Sequence, residues 1–357
     1  MKEKKILLYG PLPPLFSGQS VSFLNVLKSI EKHNPLVINT QKFKNKLLSF
    51  LYVQLLCLYF FLTKKIKILY ITTSRSKVGL AREFLTLLLA KFYNVKVINH
   101  LHGNDFNNIY GKSRFIKKIV KYVYSHISIS IVLNEQMKAH YKDFPKMKIK
   151  VVPNNYDSII DKELIDFDKK EGVIFLSNIM FTKGVIIFLE AAEIILSNNN
   201  TNIYIAGEFV GDYLKKKSEI KRIFYLKYNS IKEKFPDKIF YLGPVFGNEK
   251  INLLKNTSIF CLPTFHRSEA FPISIIEAMA LGNAVIVNNH NDLNNLVNNT
   301  NGCLIQNLNS IQLADKILEL LNNPDLKNIQ IFNSVDSKKR YSFKNFKKNI
   351  ENILLDC

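Results

Sequence analysis

Twelve short apolar runs alternate with helix-length stretches along this chain, and that rhythm leaves few folds open. The first six runs are residues 6–9, 36–39, 67–72, 95–100, 127–133 and 149–152. The second six are 173–176, 203–206, 239–242, 259–262, 284–287 and 303–306. Each is apolar on both faces of an extended chain, which suits a strand covered on both sides, and strands separated by helices pair in parallel. The fold expected is α/β, with two doubly wound Rossmann-like domains. Length agrees: 357 residues are many for one core, and a prior of about 150 residues per domain gives two. The boundary is placed in residues 156–170, where Asp157, Asp161, Lys162, Glu163, Asp166, Asp168 and Lys169 leave little to pack and read as a linker. Domains at 1–160 and 161–340 follow, with a last segment at 341–357.

Charge separates the two halves. The chain carries a net +21, and residues 1–160 hold 26 Lys and Arg against 7 Asp and Glu, whereas residues 161–357 hold 24 against 22. Lys-rich solvated faces explain an excess of lysine but not its one-sidedness. A field this lopsided points to a polyanionic surface on the first domain, either nucleic acid or an anionic lipid leaflet. Two segments there bear on the choice. Residues 47–62 are mostly apolar and bracketed by Lys42, Lys44, Lys46 and Lys64, Lys65, Lys67; they are too short to span a bilayer and fit a covering helix or an interfacial one. Residues 112–124 set Arg114, Lys117, Lys118 and Lys121 on one helical face, with Phe115, Ile119 and Val123 expected to dock inward, and the lysine face is assigned to a membrane surface.

The composition, 47% hydrophobic and 22% charged, is that of a folded protein. Cys57, Cys261, Cys303 and Cys357 have no metal spacing and read as reduced thiols of a cytoplasmic protein. Residues 1–9 are too short in apolar content for an export signal. No His/Cys cluster at ligand spacing suggests a metal site.

The segment with the most chemistry lies at residues 259–287. A short strand at 259–262 gives way to a loop at 263–270 and then to a helix with Pro272 in its first turn, Glu277 in its second, and Glu269 in the loop before it. A helix start beyond a strand end offers unpaired N–H groups and a positive dipole end to an anion such as phosphate. Carboxylates beside it would not bind phosphate, but they accept hydrogen bonds from hydroxyls. Nucleotide sugars supply both kinds of group. Solvated surface carboxylates around an ordinary connection are the plain alternative. Residues 263–287 closely resemble the Glu-x7-Glu signature of family 4 retaining glycosyltransferases.

That resemblance implies two domains facing a cleft in the GT-B arrangement, with the last helix, at 343–355, crossing back to the first domain. It implies that Glu269 touches the donor sugar and acts in catalysis, that Glu277 holds the ribose, and that the Ala270 and Phe271 amides lie near the diphosphate. Other positions are carried over in the same way. His102, before Gly103 at the end of the run at 95–100, would reach the sugar as a second catalytic residue, with His100 left to packing. Gly18, in the Pro-rich turn after the first strand, would face the donor phosphates, and Ser20 would cap the helix that follows. Residues 175–184 match the family's Gly-Arg-x4-Lys-Gly element at Lys183 and Gly184, with Asn178 in place of the arginine. One cation on the diphosphate is thereby replaced by a neutral donor, and Arg267 is available but not carried over.

The activity implied is metal-independent transfer of a sugar from a UDP- or GDP-type nucleotide sugar, with retained configuration and no cofactor. The acceptor class, a lipid-linked glycan in capsule or O-antigen synthesis, is read from the basic half. It places the protein on the cytoplasmic face of the cell membrane, bound through the basic first domain. Three rivals stand: another nucleotide-sugar enzyme such as a 2-epimerase, a non-catalytic partner subunit suggested by Asn178, and a nucleic-acid binder, for which no binding module is present.

Overall fold

The computed structural model describes residues 5–13, 17–43, 45–74, 77–107 and 113–355. The chain divides into two units, Met1–Asn155 with Phe343–Cys357, and Tyr156–Ser342. A strand forms at every one of the twelve apolar runs. In the first unit they are β1 (Lys5–Gly10), β2 (Leu36–Asn39), β3 (Ile66–Thr72), β4 (Lys96–His100), β5 (Ile127–Val132) and β6 (Lys148–Val151). In the second they are β7 (Val173–Leu176), β8 (Ile203–Ala206), β9 (Ile239–Tyr241), β10 (Ile259–Leu262), β11 (Ala284–Asn288) and β12 (Gly302–Ile305). All pairings are parallel, in the orders β2-β1-β3-β4-β5-β6 and β12-β11-β10-β7-β8-β9. Both orders reverse once, between β1 and β3 and between β7 and β10. At such a point neighbouring strands send their connections to opposite faces, and a crevice opens beyond the carboxyl ends.

The first core packs Ile6, Leu8, Phe23, Tyr70, Ile98 and Ile131 with Phe346, Ile350 and Leu354 of the helix Phe343–Leu355. The chain's last described helix is therefore part of the first hydrophobic core. The helix after β1 starts at Gly18, and its cap is Ser17, not Ser20: the Ser17 hydroxyl accepts from the Ser20 N–H while the Ser20 hydroxyl accepts from the Ser17 N–H. Residues 14–16 of that turn lie outside the described residues.

Three further expectations change. In the helix Arg114–Tyr124, Phe115 does not dock inward; it is 73% exposed, and Lys117 and Lys121 reach Asp143 at 3.5 and 3.8 Å. Lys112, the expected start of that helix, is outside the described residues, as are Lys44 and Cys357. Pro272 caps the helix Ile273–Ala280 from outside its first turn.

The segment 156–170 is not a loose linker. Tyr156 and Ile160 are buried, the Tyr156 hydroxyl donates to Asp161 at 2.6 Å, Glu163 pairs with Lys255 at 2.6 Å and Asp168 with Lys327 at 2.5 Å. Its charges dock it onto the second unit, which starts at Tyr156. Lys170 anchors the segment: its ammonium donates to the carbonyls of Leu254, Lys255 and Leu281 at 3.0, 2.8 and 3.1 Å. Those carbonyls belong to the last turns of two helices, where acceptors lack intrahelical donors and a cation is favoured. Burial and the neighbouring Lys255 push the Lys170 ammonium down to about 7. Lys170→Met keeps the apolar stem and removes the donors, so urea denaturation near neutral pH is expected to show a loss of about 2 kcal/mol.

Candidate active site

The connections after β7 and β10 leave the sheet on either side of the second unit's reversal, and backbone contacts hold them together. The Phe265 N–H donates to the Thr182 carbonyl at 2.8 Å, and the Thr182 hydroxyl meets His266 Nδ1 at 2.8 Å. Gly184 permits this approach. Its φ is 79°, and a Cβ there would stand 2.1 Å from the Pro263 carbonyl oxygen, so no other residue fits without moving one connection. The same glycine caps the helix Val185–Asn198, whose start is thereby fixed at the crevice.

Lys183 and Glu269, assigned from the sequence to the diphosphate and to the sugar, are brought into direct contact as an ion pair with little exposure on either side chain. Thr264 donates to the same Glu269 oxygen at 3.1 Å. Burial by itself would raise the Glu269 carboxyl, but the Lys183 charge and hydrogen bond, with His266 and Thr264, outweigh it and hold the group below the usual carboxylate range. The loop is shaped by Asn291, whose amide donates to the Glu269 carbonyl at 2.8 Å, and by His290, which meets the His266 carbonyl at 3.0 Å. Glu277, on the helix Ile273–Ala280, is also buried and pairs with Lys250 at 2.6 Å. Ala270 and Phe271 are buried just before that helix, and Phe271 packs on Tyr341. Asn178 is exposed directly after β7. Arg267 stacks its guanidinium over the Tyr213 ring at 4.4 Å.

Two buried carboxylates, each holding a lysine, therefore line the exit of β10. Water would leave such charges cheaper, so their burial is compensated by pairing and hydrogen bonds. A nucleoside diphosphate offers what the pairs lack: phosphate oxygens for the ammonium groups and hydroxyls for the carboxylates. Lys250, Thr264, His266 and Asn291 had no signal in the sequence, because each is defined by a partner 5 to 84 positions away.

In the first unit, Gly18 opens its helix at the β1/β3 reversal, and no atom of a described residue lies within 4 Å of a Cβ position there. His102 lies beyond β4 with its ring 4.0 Å from that of His100. His100 is buried, its Nδ1 meets the Tyr70 hydroxyl at 2.7 Å, and burial and His102 push it well below the ordinary histidine value, so it is a neutral support for His102. Nearby, Glu83 accepts from the Ser74 N–H at 2.6 Å and from the Tyr124 hydroxyl, and burial raises it to about 7. Among the described residues no group of three His, Cys, Asp or Glu side chains is placed to hold a metal ion.

The family profile of glycosyl transferases group 1 matches residues 157–334, almost the whole second unit. The second unit is the part of the chain that carries this match. An uncharacterized glycosyltransferase of Methanocaldococcus jannaschii is 24% identical over 242 residues, 64% of this chain and 58% of the relative. The N,N'-diacetylbacillosaminyl-diphospho-undecaprenol alpha-1,3-N-acetylgalactosaminyltransferase of Campylobacter jejuni is 26% identical over 164 residues, 46% of this chain and 39% of the relative. The match thus spans less than two thirds of either relative. Anabaena HepE, solved with UDP and with UDP-glucose, covers 99% of this chain and 100% of its own at a TM-score of 0.75 and 0.74 and 14% identity. The two parallel six-stranded sheets with flanking helices are those of the GT-B glycosyltransferases.

Lys183→Ala strands the Glu269 carboxylate. With the cation gone, burial raises the carboxyl above its unfolded value of about 4.3. The native state then holds its proton more tightly than the unfolded state, so stability rises as pH falls. The variant is expected to lose about 3 kcal/mol at about pH 7 and to recover part of it at about pH 5. The wild type, whose carboxyl is depressed, does the reverse, losing stability as pH falls below about 4.5. Thermal melts across this range check both signs.

Proposed function

We propose that the chain transfers a sugar from a nucleoside diphosphate sugar to a hydroxyl of a lipid-linked glycan, with retention of configuration and without a divalent cation. The observation that carries the reading is the buried Lys183–Glu269 pair at the β7/β10 reversal, in a group 1 glycosyl transferase unit. In this reading the diphosphate takes Lys183 from Glu269 and faces the amides of Ala270 and Phe271 at the start of the helix Ile273–Ala280. Glu269 is then released to accept from sugar hydroxyls, and Glu277 exchanges Lys250 for the ribose. Asn178 adds a neutral donor, and Gly184 brings backbone close to the phosphates. The bond from the anomeric carbon to the phosphate oxygen breaks and its electron pair leaves on the nucleoside diphosphate, the bond to the acceptor oxygen forms, and the acceptor hydroxyl's proton is lost to the departing diphosphate or to water. Preformed cationic and amide groups stabilise that charge, and binding positions the acceptor.

The acceptor class is supported by the Campylobacter relative, whose name specifies a diphospho-undecaprenol acceptor, and by the 26 Lys and Arg of residues 1–160. In this reading the protein works at the cytoplasmic face of the membrane, in surface polysaccharide synthesis, with UDP or GDP as the carrier nucleotide.

A thermal-shift screen with UDP, GDP, ADP, dTDP and CMP tests the donor site, since a ligand of the folded state raises its melting temperature. One diphosphate is expected to raise the wild-type Tm, with affinity at least about tenfold lower in Glu277→Ala, the loss of about 1.4 kcal/mol of ribose contacts. A chain that answers to none of the five has no such site.

A further inference from the structure

The helix Lys46–Thr63 has two unlike faces. Val53, Cys57 and Phe61 are buried on the side that packs against the helix Lys77–Phe92. On the other side Leu47, Leu51, Leu55, Leu58, Tyr59 and Leu62 are 42–68% exposed. At about 100° per residue these six fall within a sector of about 120°, running the length of a helix about 27 Å long. No charged residue interrupts the sequence from Leu47 to Thr63. The apolar surface continues past the helix end, where Phe61 stacks on Tyr93 at 5.7 Å and Phe92, 82% exposed, stands edge-on to Tyr93. A continuous apolar strip of this size facing water marks an interaction surface.

The charge around the strip selects what covers it. Lys42 and Lys64 flank its ends, with ammonium groups 4.6 Å from the Tyr52 ring and 5.8 Å from the Tyr59 ring, and exposed Lys65 and Lys67 follow. No Asp or Glu occurs between Glu31 and Glu83, and Glu83 is buried. A two-fold pairing of this face with a second copy would bring like-charged rims together, because such an interface sets the same patch against itself. An anionic surface with an apolar interior matches both parts. No described helix is long and apolar enough to cross a membrane.

We propose that the helix Lys46–Thr63 lies flat in the headgroup region of an anionic bilayer, its leucine strip buried among acyl chains and its flanking lysines on the lipid phosphates. The apolar helix thereby joins the helix Arg114–Tyr124, whose Lys117 and Lys121 share Asp143, as a membrane-facing element. This rests on the lipid-linked acceptor reading for its purpose alone; the physical contact stands or falls by itself.

The full chain is tested by co-flotation with neutral phosphatidylcholine vesicles and with vesicles made anionic by phosphatidylglycerol. The natural chain has no tryptophan, so Leu55→Trp supplies a single probe in the strip. Its emission is expected to shift to the blue on anionic vesicles and to be quenched by brominated acyl chains. Replacing Leu51, Leu55, Leu58 and Leu62 together by Ser should lower retention at least about tenfold, because each exposed leucine contributes apolar area, with the melting temperature kept. Lys64→Glu with Lys65→Glu should lower retention on anionic vesicles and leave neutral ones unchanged. The proposal is overturned if the wild type stays in solution, if the tryptophan emission does not move, or if the serine variant floats like the wild type. It is equally overturned if the wild type is a lipid-indifferent dimer that the serine variant dissociates. The nucleotide screen runs on the same variants: flotation without any nucleotide response keeps this inference and removes the transferase reading, and the reverse result separates them the other way.

Discussion

The Lys183–Glu269 pair is the interaction on which the second unit's site depends. Both charges are nearly out of water, so neither is tolerated alone, and each fixes the connection that carries the other. The pairing is available only because Gly184 lets the β7 connection press against the end of β10, within reach of a carbonyl that any side chain would strike. Strand order does the rest, since a reversal between β7 and β10 is where these two connections diverge and leave room for a ligand. A site built this way is preorganised yet unsatisfied in one respect. Its cation and its carboxylate neutralise each other, and a ligand that carries both phosphate and hydroxyl can separate them without leaving either unpaired.

The first unit shows the opposite arrangement of charge. Its carboxyl-end groups, His100 under His102 and Glu83 between Ser74 and Tyr124, are held neutral or near-neutral by burial, while its lysines stand at the surface. The two units share a topology and differ in electrostatic character, the second concentrating paired charge in its crevice and the first setting exposed lysines around an apolar helix.

The fold was legible because a strand buried on both faces has to be apolar throughout, and twelve such runs spaced by helix-length segments admit little else. Periodicity failed where charge was read as solvation. The segment 156–170 has the composition of a linker, but Glu163, Asp168 and Lys170 find partners at Lys255, Lys327 and three helix-end carbonyls, none of which a local pattern reveals. Phe115 was misplaced for the converse reason, since amphipathic spacing fixes a face without saying whether a neighbour covers it. In the site, Glu269, Glu277, Lys183 and Gly184 were visible as motif positions. That Glu269 and Lys183 touch, and that Lys250 holds Glu277, are tertiary facts. The leucine strip was visible as hydrophobicity, but its exposure follows from Val53, Cys57 and Phe61 taking the covered side.

Whether the paired carboxylates and lysines of the second unit take a nucleoside diphosphate is decided by a crystal structure with the diphosphate bound. Phosphate oxygens are expected on Lys183, ribose hydroxyls on Glu277, and the Lys183–Glu269 contact broken. A nucleotide bound elsewhere, with both ion pairs intact, would contradict that assignment.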